Sequence, residues 1–275
     1  MILVTGASGF LGPWVARELA KRGLSHVAWR GARGGPEGTA YPSVDLLDEE
    51  ATREALDRAA PSCVIHCAAE ASLGPCAAGP ARARALNAEV PERLAALARA
   101  RGARFVQVST DMVFDGEHAP YTERDEARPT TAYGRSKLEG EARVLAACPG
   151  GLVVRVPTLY GEGLTARVSF SAATRLALLA GREVRLFDDE FRTPLEVSEA
   201  AVRLVSLARS DLTGVIHAPG PARLSRLELG RALCRELGAS EALLVPVSRL
   251  SLPGEPRPRD LSLATVRDAP AVAPG

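Results

Sequence analysis

Short apolar runs alternate with amphipathic stretches through residue 155. Ile2-Leu3-Val4 is an apolar run that stops at Gly6, and Leu11, Val15 and Leu19 then repeat at helical spacing. His26 to Trp29 reads as a second strand, followed by a turn-rich stretch from Gly31 to Gly38. Asp48 is placed to cap a helix running to about Ala59, with Glu49 and Glu50 in its first turn. Cys63 to Cys67 predicts a buried strand, Val90, Leu94 and Leu97 a helix, and Phe105 to Val108 a further strand. A polar loop from Asp115 to Thr130 leads to a helix from about Tyr133 to Ala147, then a strand from Leu152 to Val156.

Strands this uniformly apolar are buried on both faces, which implies a parallel sheet with helices on either side. The expected fold is α/β, a doubly wound parallel sheet with a smaller C-terminal substrate-binding part. The sheet domain is expected to take in residues 1–155, joined by about 182–215, with 156–181 and 216–275 forming the smaller part. Ala201, Leu204, Val205 and Ala208 mark one later helix, Leu229, Leu233 and Leu237 another, and Val215 to His217 a strand. From Pro253 onward prolines dominate and periodicity fades, so a loop-rich tail is expected.

Composition narrows the field. The 275 residues are 46% hydrophobic and 24% charged, an ordinary globular balance that needs no disulfide or metal to build a core. A net charge of +1 argues against nucleic acid or an anionic membrane as partner. The chain has no apolar run long enough to span a bilayer and no signal-peptide pattern, and its five cysteines are an odd set; cytoplasmic free thiols are the expectation. Cys63, His66, Cys67 and Cys76 lack a second paired motif, so no metal site is expected. Lys21 and Lys137 are the only lysines among 34 basic residues, so a lysine here carries more information than an arginine.

Gly6-Ala7-Ser8-Gly9-Phe10-Leu11-Gly12 follows the first strand and opens a helix. Gly6 permits the tight turn, Gly9 lets the backbone approach a pyrophosphate, and Gly12 lets helix and strand pack closely. The helix N-terminus then offers N–H groups and a positive dipole end to phosphates. This is a Rossmann-like dinucleotide site. The second strand ends in Arg30 and, three residues on, Arg33, with no acid before Glu37. Two arginines in place of the ribose-binding acid favour NADP (NADPH), with NAD as the alternative; solvated surface arginines are the competing reading. Asp45 is either an adenine contact or an ordinary loop residue.

Tyr133 and Lys137 form Y-x-x-x-K, which puts both side chains on one helical face. A tyrosine of pKa ~10 is a poor acid/base until a neighbouring ammonium favours its phenolate. Thr110 closes a strand, at the end where doubly wound sheets bind ligands, and could orient a substrate carbonyl toward Tyr133.

These motifs resemble the extended short-chain dehydrogenase/reductases. Within them, Ser109-Thr110-Asp111-Met112-Val113-Phe114-Asp115-Gly116, then Tyr121, Glu123, Asp125, Pro129, Tyr133-Gly134, Ser136-Lys137 and Gly140-Glu141, are similar to the dTDP-4-dehydrorhamnose reductase family. The resemblance implies catalytic Thr110, Tyr133 and Lys137. It implies cofactor contacts from Ser8, Phe10, Leu11, Leu46, Cys67, Ala68, Ala69 and Asn87 beside the glycines. It implies substrate contacts from Thr110, Asp111, Met112, Arg192 and Arg257, the last in a late Arg-Pro pair. The implied activity is NADP-dependent reduction of a nucleotide-linked 4-keto-6-deoxy sugar, with a nucleotide sugar as partner and a homodimer compatible with it.

Two departures leave rivals in play. Met112 stands where that family has Tyr, and Arg155-Val156-Pro157-Thr158-Leu159-Tyr160-Gly161 replaces R-T-x-W. The latter is more similar to the methionine adenosyltransferase β-subunit family, or to epimerases and dehydratases. A sugar-nucleotide epimerase or dehydratase and a non-catalytic NADP-binding subunit are therefore the alternatives. Asp188-Asp189-Glu190 reads as a solvated turn.

Overall fold

A computed structural model describes residues 1–31, 41–165, 169–251, 254–255 and 257–267. Six parallel strands form the main sheet: β1 (Ile2–Thr5), β2 (His26–Trp29), β3 (Cys63–His66), β4 (Arg104–Thr110), β5 (Leu152–Val156) and β6 (Gly214–His217). Their spatial order is β6-β5-β4-β3-β1-β2. The chain leaves β1 toward one edge and returns at β3 to build the other, so the crevice beyond the ends of β1 and β3 is the place for a ligand. Just past β2, a parallel bridge joins Arg30 to Ser43.

Helices cover both faces, as the strand pattern predicts. On one side α1 (Gly12–Lys21) packs with α6 (Val197–Ala208), burying Val15, Leu19, Leu204 and Val205 against Val4, Ile65, Val106 and Ile216. On the other lie α2 (Glu49–Ala59), α3 (Val90–Ala100) and α4 (Ala132–Ala147), where Leu56, Leu94 and Val144 meet Leu3, Val64, Phe105 and Val153. The α2 cap is the expected one: Asp48 accepts from the Ala51 amide at 2.9 Å.

A second, smaller core holds α5 (Phe170–Leu179), α7 (Arg226–Leu237) and the parallel pair Val184–Phe187 with Leu244–Val247, centred on Leu178, Leu186, Leu227 and Leu244. Residues 184–187 thus pair in this small core, although 182–215 reads from the sequence as part of the sheet domain. Residues 257–267 form no helix, but they are packed in place: Leu261 and Leu263 are buried against Val113, Phe114 and Tyr121. Bridges Tyr121–Leu263 and Phe191–Asp260 tie it down and carry Arg257 back toward the sheet. Among the described residues no helix is long and apolar enough to cross a membrane.

Candidate active site

A cleft of about 890 Å³ opens over the C-terminal ends of the strands, between the sheet and the smaller core. Its inner wall is the glycine loop. Gly6 has φ +78°, and a Cβ there would lie 2.8 Å from the Ala68 nitrogen of the loop after β3. A Cβ on Gly12 would lie 2.3 Å from the Gly6 oxygen, so α1 can start this close to β1 only without one. No side chain caps α1 and no acid stands in its first turn, which leaves its positive end to an anionic ligand. The loop is a cradle that Cβ atoms would fill, and it fits a dinucleotide pyrophosphate.

The sequence-predicted cofactor residues Gly6, Ser8, Gly9, Phe10, Leu11, Asp45, Leu46, Cys67, Ala68 and Ala69 all line this cleft. Gly12 stands behind it. Arg30 is outside the lining and donates through Nε to the Tyr41 carbonyl at 3.1 Å. Arg33 lies outside the described residues. Asn87 does not reach the cleft either. Its amide accepts from the Glu70 nitrogen and donates to the Glu70 carbonyl and Ser136 Oγ, each at 2.9 Å. It therefore braces the loop after β3 against α4.

Thr110, Tyr133 and Lys137 line the same cleft. Thr131 caps α4 by accepting from the Gly134 amide at 3.1 Å. A Cβ on Gly134 would lie 2.1 Å from the Met112 oxygen, so glycine after Tyr133 lets the helix start press onto the turn that follows Thr110. Thr110 Oγ1 donates to Asp111 Oδ1 at 3.1 Å and accepts from the Met112 amide at 3.2 Å. Lys137 is buried and donates to the Val108 carbonyl at 2.8 Å. Burial lowers its pKa to about 8, against the pull of the Glu141 carboxylate, which favours the ammonium. Glu141, one turn further along the same face, accepts from Ser109 and pairs with Arg155 at 2.7 Å.

The outer wall was the part least legible in sequence. Glu190, expected in a solvated turn, is fully buried. Arg226 Nε and Arg257 Nη1 each donate to it at 3.2 Å, and Arg192 lies 3.7 Å away. Burial pushes the Glu190 carboxyl up, but the guanidiniums of Arg192, Arg226 and Arg257 outweigh it and hold it below the usual carboxylate range. Arg192 also lies 3.2 Å from Asp111 Oδ2, without an aligned hydrogen bond. Burial raises the Asp111 pKa to about 6, with Arg192 opposing. Asp111, Met112, Arg192 and Arg257, expected from sequence to contact a substrate, line the cleft; Glu190 and Arg226, which the sequence did not single out, line it too.

A switch-point glycine loop facing a Thr-Tyr-Lys constellation across one cleft defines an extended short-chain dehydrogenase/reductase. Within that class, the chain belongs to the family described as RmlD substrate binding domain, whose model matches residues 1–268. Among its relatives, dTDP-4-dehydrorhamnose reductase of Mycobacterium tuberculosis is 36% identical over 264 residues, covering 94% of this chain and 82% of that protein. The methionine adenosyltransferase 2 subunit beta of Bos taurus is 31% identical over 270 residues, covering 95% and 79%. A dTDP-4-dehydrorhamnose reductase structure from Clostridium acetobutylicum superposes with a TM-score of 0.83 at 30% identity, covering 96% of this chain and 89% of that one. One from Bacillus anthracis, in complex with NADP, shares the fold at 23% identity with a TM-score of 0.85, covering 96% and 89%.

Proposed function

We propose that the chain is an NADP-dependent reductase of a nucleotide-linked 4-keto-6-deoxy sugar, of the dTDP-4-dehydrorhamnose reductase type. The observation that carries this reading is the meeting of Thr110, Tyr133 and Lys137 with the glycine loop in one cleft, facing the guanidiniums of Arg192, Arg226 and Arg257. Gly6 to Leu11 would hold the pyrophosphate of the dinucleotide, and Asp45 and Leu46 its adenine end. When bound, its dihydronicotinamide supplies the hydride for the sugar C4 carbonyl. Thr110 orients that carbonyl oxygen, and Tyr133 Oη gives it a proton as alkoxide develops. Lys137 stabilises the tyrosinate and holds the ribose hydroxyls. The arginines neutralise the substrate's diphosphate.

A preference for NADPH over NADH follows from the absence of an acid at the end of β2, and Arg30 is the described candidate for the 2′-phosphate. The test is a screen of keto-sugar nucleotides with NADPH and with NADH, following loss of reduced-cofactor absorbance. Turnover with a 4-keto-6-deoxy sugar supports the reading; tight NADPH binding with no keto sugar reduced sinks it. That second result promotes the other reading, a non-catalytic NADP-binding subunit, which the 31% identity to a methionine adenosyltransferase β subunit favours.

A further inference from the structure

Glu190 has no place in the chemistry above, yet it is a fully buried carboxylate in the wall of the cleft. Its three cationic neighbours come from separate segments: Arg192 two residues on, Arg226 at the start of α7, and Arg257 from the tail. Their positions do not depend on Glu190 alone. The Arg226 guanidinium stacks over Phe170 at 4.2 Å from the ring centroid, and that of Arg257 over Phe187 at 5.1 Å. Arg192 is held by Asp111 and by the Phe191 carbonyl, to which it donates at 2.8 Å. Aromatic faces, backbone and Asp111 thus hold the cationic wall together with Glu190. What Glu190 adds is one negative charge behind it.

We propose that Glu190 is a specificity-determining residue that lowers the charge of this anion seat, so that it accepts the diphosphate diester of a sugar nucleotide and disfavours free nucleotides of higher charge. The inference rests on the nucleotide-sugar reading of the cleft. Near neutral pH a nucleoside diphosphate carries about one negative charge more than its sugar diester, because its terminal phosphate has a second pKa of about 6. A seat with one more positive charge gains affinity for every anion, and gains most for the most charged one.

The test is calorimetric titration of the full chain with inorganic pyrophosphate, thymidine diphosphate and thymidine diphosphate glucose. In Glu190→Gln, which keeps the shape and removes the charge, the sugar diester should bind roughly tenfold tighter and the free diphosphate roughly thirtyfold tighter. Glu190→Asp should keep the wild-type ratio. Arg257→Gln, at a partly exposed position, should weaken both ligands in the same order, and decides the matter if Glu190→Gln loses NADPH binding and hence its fold. Charge-independent changes, or weaker pyrophosphate binding in Glu190→Gln, would overturn the inference. Pyrophosphate that tightens in Glu190→Gln, while the wild type ignores the sugar nucleotide, upholds the role of Glu190 and removes the proposed substrate class.

Discussion

The Lys137 ammonium donates to the Val108 carbonyl at 2.8 Å, pinning α4 to β4 just before Thr110. The same side chain is thus a tether and a titrating group. Burial lowers its pKa from 10.5 to about 8, so between those values the unfolded chain holds a proton that the native chain has released. The unfolded state binds more protons across that window, and stability rises with pH through it. Urea unfolding at pH 8 and pH 10 should show this rise in the wild type and its loss in Lys137→Met. Identical pH dependence in the two would contradict a buried, titrating Lys137. Lys137→Ala should lower turnover and cofactor affinity together.

Gly12 tests the cradle. An alanine Cβ there would lie 2.3 Å from a backbone oxygen that cannot swing away, whereas one on Gly74 meets nothing within 4 Å. Gly12→Ala should therefore lose most NADPH affinity, measured by fluorescence titration. Gly74→Ala, inside the short helix Leu73–Ala78, should bind normally and change stability by no more than about 1 kcal/mol.

The Glu141–Arg155 pair is buried on both sides, whereas Glu50–Arg53 is exposed. Removing one partner of a buried pair leaves an uncompensated charge and typically costs about 3–5 kcal/mol. Exposed pairs are worth about 0–1 kcal/mol. Denaturant titration should place Glu141→Ala in the first range and Glu50→Ala in the second. A Glu141→Ala loss below about 1 kcal/mol would mean that Arg155 finds water or another acceptor.

The candidate site is legible in the sequence where its residues are local. The glycine loop occupies seven consecutive residues and Y-x-x-x-K five, and their backbone settings follow from spacing alone. The strands were legible because each carries a short, mostly apolar run. The arginine wall was not, because Asp111, Glu190, Arg192, Arg226 and Arg257 converge only once the tail folds back over Phe114 and Tyr121. Glu190 follows two aspartates and carries no local sign of burial. Asn87 matched a family pattern, yet its placement here is as a brace, which depends on the contact between the loop after β3 and α4.

Asp111 gives the cleft a pH response. With its pKa raised to about 6, it is neutral below that value, and Arg192 then faces the ligand with less compensation. A diphosphate diester does not titrate in this range, so its affinity should rise as pH falls from 7 to 5. Asp111→Asn should flatten that profile at the tighter level. A wild-type affinity that falls toward pH 5 would contradict this coupling.

The most direct test of the proposed reductase is single-turnover reduction of a keto-sugar nucleotide by Tyr133→Phe. The change removes one hydroxyl and almost no volume. The glycine-loop residues Gly6, Ser8, Gly9, Phe10 and Leu11 line the same cleft and are untouched by the change, so NADPH affinity should stay near the wild-type value. Turnover should fall by ~10²–10⁴, the usual worth of a positioned general acid. Wild-type turnover in Tyr133→Phe would contradict the assignment of Tyr133 as proton donor and, with it, the mechanism proposed for this cleft.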